Sequence, residues 1–305
     1  MGRWPVTATG ASGHLAGVDP EPISVVRADL GEGPTWDAST GTLCFVDITE
    51  RRVYRYDPIR KATASIELPQ EVGAVVPRRG GGLIAAVRDG IALAEEKPVR
   101  FELVAAIEAD NPRNRMNDAK CDSRGRLWAG TMALAETPGA GCLYRYDVDG
   151  TVTKMVENVT ISNGIGWSAD DRTMYYVDSS EGIDAFDFDV ESGQIGNRRR
   201  LVTLDPALGE PDGMTVDSAG YLWVAIWGGS CVHRYAPSGE FEREIHMPVS
   251  QVTSVAFGGP DLEDLYITSA RTGLTTEQLD REPLAGACFV CRPGVKGNHA
   301  HPFAG

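Results

Sequence analysis

The sequence predicts an all-β protein, a six-bladed β-propeller closed around a central channel. Three observations carry that prediction. A short pattern, a polar or small residue leading into a brief apolar strand, returns six times, at Glu32, Val72, Asp118, Asn163, Asp212 and Thr253. Its spacing of roughly 40 to 50 residues is that of radially repeated β-sheets. Each copy is followed by further short runs rich in β-branched and aromatic residues, set off by turn signals such as Asp-Ala-Ser-Thr-Gly and Asp-Ser-Ala-Gly. Amphipathic helical periodicity is nearly missing, so the strands must bury their faces on one another, as propeller blades do.

Taken in order, residues 1–21 are small and polar with no apolar stretch typical of a secretory signal, and read as a flexible N-terminal arm. Residues 22–305 form the propeller domain. Ile23–Leu30 is strand-like but lacks partners of its own, so it is expected to complete the last blade and close the ring, removing free edges. The second strands of the blades start at Gly41, Gly82, Gly125, Arg172, Gly220 and Asp264. Third strands follow at Arg52, Cys142, Ile183, Cys231 and Ala287, and fourth strands are visible at Thr151 and Phe241. Two short helices in loops are compatible with the pattern, for instance near Thr275, Glu277 and Gln278.

Composition excludes several function classes. The chain has 305 residues and a net charge of −14. Its only basic run is Arg198-Arg199-Arg200, too little for a nucleic-acid footprint. No apolar run approaches the ~18 residues of a membrane span. Six cysteines without a signal peptide suggest reduced thiols and a cytoplasmic location. Cys288 and Cys291 form a CxxC within an apolar run; residues three apart on a strand face opposite sides, so these read as packed thiols. Gly31-Glu32-Gly33 and Gly164-Ile165-Gly166 precede no helix and are not dinucleotide fingerprints. His14, His299 and His301 lie near the termini, while His233 and His246 fall in outer-strand patterns, so no Ser-His-Asp constellation is evident.

In a propeller the innermost strand of each blade lines the channel. Glu32, Asp118, Asn163 and Asp212 would then converge at one mouth. Carboxylates and an amide brought together there call for neutralisation, and their oxygens suit one hard divalent cation such as Ca²⁺ or Mg²⁺. Without a histidine at these positions a zinc site of the usual kind is disfavoured. The same residue types also cap turns entering strands, which remains the alternative at each position. The segment Asn111–Asp118 concentrates amides, two arginines and an aspartate just ahead of an inner strand. It should overhang the same mouth, where Arg and Asn could hold hydroxyls or an oxyanion.

In this order, Leu30-Gly-Glu-Gly-Pro, Arg115-Met-Asn-Asp, Gly125-Arg-Leu-Trp-Ala-Gly-Thr-Met, Ser162-Asn-Gly and Pro211-Asp-Gly resemble the SMP-30/gluconolactonase/regucalcin-like proteins over about residues 23 to 292. The resemblance implies a six-bladed propeller holding one divalent metal on Glu32, Asn163 and Asp212, of identity open among Ca, Zn, Mg, Mn and Fe. It implies substrate contacts from Arg115, Asn117 and Asp118, with a lid glutamate near Glu136. Met116 and Ala119 stand where Phe and Gly are common, which leaves the polar contacts and reshapes the pocket. The activity implied is hydrolysis of a small-molecule sugar lactone to its aldonic acid, with Asp212 as general base and Asp118 second. A phosphotriesterase-like hydrolase on the same site and a non-enzymatic calcium-binding regulatory protein are the alternatives.

Overall fold

The computed structural model describes residues 18–305 and is a six-bladed propeller of four-stranded antiparallel sheets. Blade one runs outward through Gly31–Asp37, Thr42–Asp47, Arg52–Asp57 and Ala62–Glu67. Blade two is Val72–Pro77, Leu83–Val87, Gly90–Glu96 and Val99–Ala106. Blade three is Asn114–Cys121, Leu127–Ala133, Gly141–Tyr146 and Val152–Val159. Blade four is Ser162–Trp167, Thr173–Asp178, Gly182–Asp189 and Gln194–Val202. Blade five is Glu210–Val216, Leu222–Trp227, Cys231–Tyr235 and Phe241–His246. Blade six takes Val252–Gly258, Asp264–Ser269 and Phe289–Cys291 from the end of the chain and Glu21–Pro22 from its start. The short helix near Thr275 is Thr276–Arg281, opened by a capping box between Thr275 and Gln278.

No blade has a core of its own. The buried apolar side chains form six clusters, one at each interface between neighbouring blades. Alternation along each strand sends one set of side chains to the preceding blade and the other to the next. Cys288 accordingly packs between blades six and one, and Cys291 between blades five and six, as the CxxC reading expected. All six cysteines are free.

Two turns show how the repeat is built. Asp122 and Asp217 end inner strands and carry the same hairpin, with Gly125 and Gly220 at φ 77° and 85°, where a side chain would be strained. The fully buried Asp217 carboxylate accepts from the Ala219 and Tyr221 amides, Trp223 Nε1 at 2.9 Å and the Arg234 guanidinium. Asp122 does the same with the Arg124 and Arg126 amides, Trp128 Nε1 and Arg126 Nε. Each locks a fully buried tryptophan into its inter-blade core.

Ring closure differs from expectation in its position. The closing strand is Glu21–Pro22, paired with Val290 and Phe289. Ile23 still bonds Cys288 O through its amide at 2.9 Å, and residues 24–29 then leave that outer edge and travel inward to start blade one, so they cannot stay on the ladder. Ala28 N bonds Gly286 O, and the Asp29 and Leu30 amides are held by the Asp47 carboxylate. Glu21 falls one residue inside the expected arm; residues 1–17 lie outside the described residues.

The tail adds what the sequence did not suggest. Asn298 bonds the Val216 and Asp217 carbonyls, and further on the chain pairs with Pro77, Arg79 and Gly125. The last residues therefore cross one channel mouth, the one at which the inner strands end. A cavity of about 370 Å³, lined by residues of all six inner strands together with His301, lies beneath this cover.

Candidate metal and substrate site

The opposite mouth, where the inner strands begin, gathers the residues singled out by sequence. In all six inner strands the register breaks just there. Asn117-Asp118, Asn163-Gly164 and Asp212-Gly213 each form a two-residue bulge between paired neighbours. A bulge turns its side chain off the regular pleat and re-aims it. The pairing places Asn117, not Asp118, at the position of Asn163 and Asp212. Asp118 is one residue further along, its carboxylate held by the Ala119 amide at 2.7 Å, and it lines the tail-capped cavity with Lys120. Lys120 donates to Met214 O at 2.6 Å and its charge favours the Asp118 carboxylate, although burial dominates and raises the Asp118 pKa.

Copies two and six remain structural, as expected. Val72 is fully buried in the core between blades one and two. Thr253 Oγ1 donates to Gly31 O at 2.6 Å, pinning blade six to the residue before Glu32.

Arg115 and Asn117 come from the inner strand itself, which starts at Asn114, rather than from an overhanging loop. Both are buried and begin a relay. Arg115 donates to Asn117 Oδ1 at 2.5 Å, and Asn117 Nδ2 donates to Asn163 Oδ1 at 2.9 Å and to Ser162 O at 2.8 Å. Asn163 Nδ2 in turn reaches Ser179 Oγ at 2.8 Å. With this network both amides have one orientation, and one lone pair of Asn163 Oδ1 is left for another partner.

The carboxylates beside it are poorly provided for. Asp212 Oδ1 is buried with no hydrogen-bond partner. Burial raises the Asp212 pKa well above its ordinary value, and the charges of Glu32, Asp118 and Glu210 add to this. Glu32 is pushed up to about 8 by burial first and by the Asp118 charge second, against one bond from the Gly33 amide. A buried oxygen without a donor costs on the order of 1–3 kcal/mol. Two crowded carboxylates and an amide oxygen match the donor set of a hard divalent cation, so Glu32, Asn163 and Asp212 fit the expected metal.

Burial lowers the Arg115 pKa, while the charges of Glu71, Glu32, Asp212 and Glu136 act to hold its proton. Glu136 is exposed in the loop after Leu127–Ala133, at φ 51°, and its charge also raises the Glu210 pKa after burial does. Glu71 and Glu210 were missed in the sequence; Glu71 directly precedes an inner strand and Glu210 is the first residue of one, two ahead of Asp212, the signal that could have found them.

A family model described as the SMP-30/gluconolactonase/LRE-like region matches residues 30–271. Regucalcin of Gallus gallus is 38% identical over 299 residues, 95% of this chain and 100% of the relative. A solved luciferin-regenerating enzyme superposes with a TM-score of 0.89 at 33% identity, covering 94% of this chain and 100% of that one. A structure named as a calcium-binding protein, regucalcin, from Agrobacterium tumefaciens gives 0.90 at 30% identity, covering 94% and 97%.

Proposed function

The chain belongs to the SMP-30/gluconolactonase/LRE-like family, and on that premise we propose that it hydrolyses a sugar lactone to the aldonic acid with the help of one divalent cation. The observation that carries this reading is the unpartnered Asp212 Oδ1 buried beside Glu32 and Asn163. Held by Glu32, Asn163 and Asp212, the cation would supply Lewis acidity toward the lactone carbonyl.

Asp212 serves as general base. As a cation ligand it would stand beside the attacking water, within reach of its proton. Water oxygen bonds to the carbonyl carbon as Asp212 takes its proton; the ring C–O bond then breaks, and Asp212 passes that proton to the ring oxygen, which leaves as a hydroxyl. Asp118 is second in line for proton handling. Arg115 and Asn117 orient the substrate's ring oxygen and hydroxyls, and Arg115 adds positive charge where the oxyanion grows. Glu136 contributes at the rim.

The relative named as a calcium-binding protein supports the cation and keeps a binding-only reading in view. A panel of five- and six-membered aldonolactones and a phosphotriester, assayed by proton release with and without chelator, separates the readings. Lactone turnover that chelation stops and added cation restores is expected. Turnover indifferent to chelation, turnover of the phosphotriester alone, or cation binding with no turnover contradicts the proposal.

A further inference from the structure

The two outer strands of blade five carry a second cluster whose chemistry is unlike that of the channel. Their register pairs Cys231 with His246, Val232 with Ile245 and His233 with Glu244. Val232 and Ile245 enter the core between blades five and six. Alternation therefore places Cys231, His233, Glu244 and His246 together on the other face, as a two-by-two square.

The square is compact. One donor atom each from Cys231, His233 and Glu244 lie within 4.8 Å of one another. His233 Nε2 is 3.6 Å from Glu244 Oε2, and His246 Nε2 is 3.5 Å from Glu244 Oε1. The other nitrogen of His233 is engaged by the Tyr235 hydroxyl at 2.8 Å. That bond fixes the ring and turns Nε2 toward the cluster, the arrangement in which metal-binding histidines are usually held. Cys231 and His233 are buried and set, whereas Glu244 is partly open and His246 exposed, which leaves an entry path.

We propose that Cys231, His233, Glu244 and His246 form a binding site for a borderline-soft transition metal of the zinc class, separate from the channel. Sulfur, nitrogen and oxygen donors in fourfold number suit Zn²⁺, while the all-oxygen channel set suits a harder ion. Bound there, the ion ties Phe241–His246, the outermost strand of blade five, to its neighbour.

The test is a Co²⁺ titration of the full-length, chelator-stripped protein in excess Ca²⁺, which keeps the channel site filled. One equivalent should produce near-ultraviolet thiolate-to-cobalt absorption and the visible bands of a tetrahedral ion. Cys231→Ser should abolish the thiolate band. Glu244→Gln, at a partly open position, should weaken Co²⁺ binding at least about tenfold, and Tyr235→Phe about 10–100-fold. Asp212→Asn should leave the signal unchanged. Absence of a thiolate band in the wild type, its survival in Cys231→Ser, or unaltered affinity in Glu244→Gln overturns the proposal.

Discussion

Asp212 and Asp217 stand five residues apart along blade five, and both are buried, yet they have opposite surroundings. Asp217 is met by two amides, an indole and a guanidinium, so every lone pair is used. Asp212 has an oxygen with no donor at all and acidic neighbours. Burial alone thus says little about a carboxylate's role. The balance of donors around it separates one that holds the fold from one that fits the proposed cation site.

Exchanging the two roles' signatures by mutation is the strongest way to break the comparison. Asp212→Ala should lower kcat/KM for the preferred lactone by about 10³-fold or more while the melting curve hardly falls. Asp217→Ala should do the reverse, because Arg234 loses a partner inside the protein. Stability should drop by about 3–5 kcal/mol in denaturant titration, with the folded fraction keeping its kcat. Equal effects of both substitutions on activity would erase the distinction.

Asn117→Ala tests whether the relay from Arg115 to Asn163 matters to the cation. It should weaken cation binding about 10–100-fold, the range seen when groups that orient metal ligands are removed. A change in lactone KM alone would assign Asn117 to the substrate only.

The smallest effect concerns pH. With its pKa at about 8 against an ordinary 4.5, folded cation-free protein keeps the Glu32 proton where the unfolded chain has released it. Stability from this group is full below about 4.5 and declines as pH rises toward 8. Glu32→Gln should therefore flatten the fall in melting temperature across that window when chelator is present. Parallel pH profiles for the two proteins would remove Glu32 from the cluster.

The ring was legible because each blade repeats the same apolar and turn chemistry, and the inter-blade cores need only that alternation. Asn163 and Asp212 were legible for the same reason, whereas Glu32 stands one residue ahead of the Gly33-Pro34 bulge of its blade. The third copy was placed one residue off, on Asp118 instead of Asn117. Spacing counts residues, whereas a bulge opposes two residues to one and shifts the facing side chain without changing the pattern. Residues 24–29 kept a strand-like composition that geometry overrides, since they must cross from the outer edge to the axis. The tail over the second mouth depends on contacts with blades two, three and five that no local pattern encodes.

The central claim is that the crowded carboxylates of the channel mouth are a cation site. Calorimetric titration of Ca²⁺ into chelator-stripped wild type and Asp212→Asn tests it most directly. The account predicts one Ca²⁺ per wild-type chain and its loss in Asp212→Asn. Undiminished binding in the variant, or none in the wild type, would contradict it.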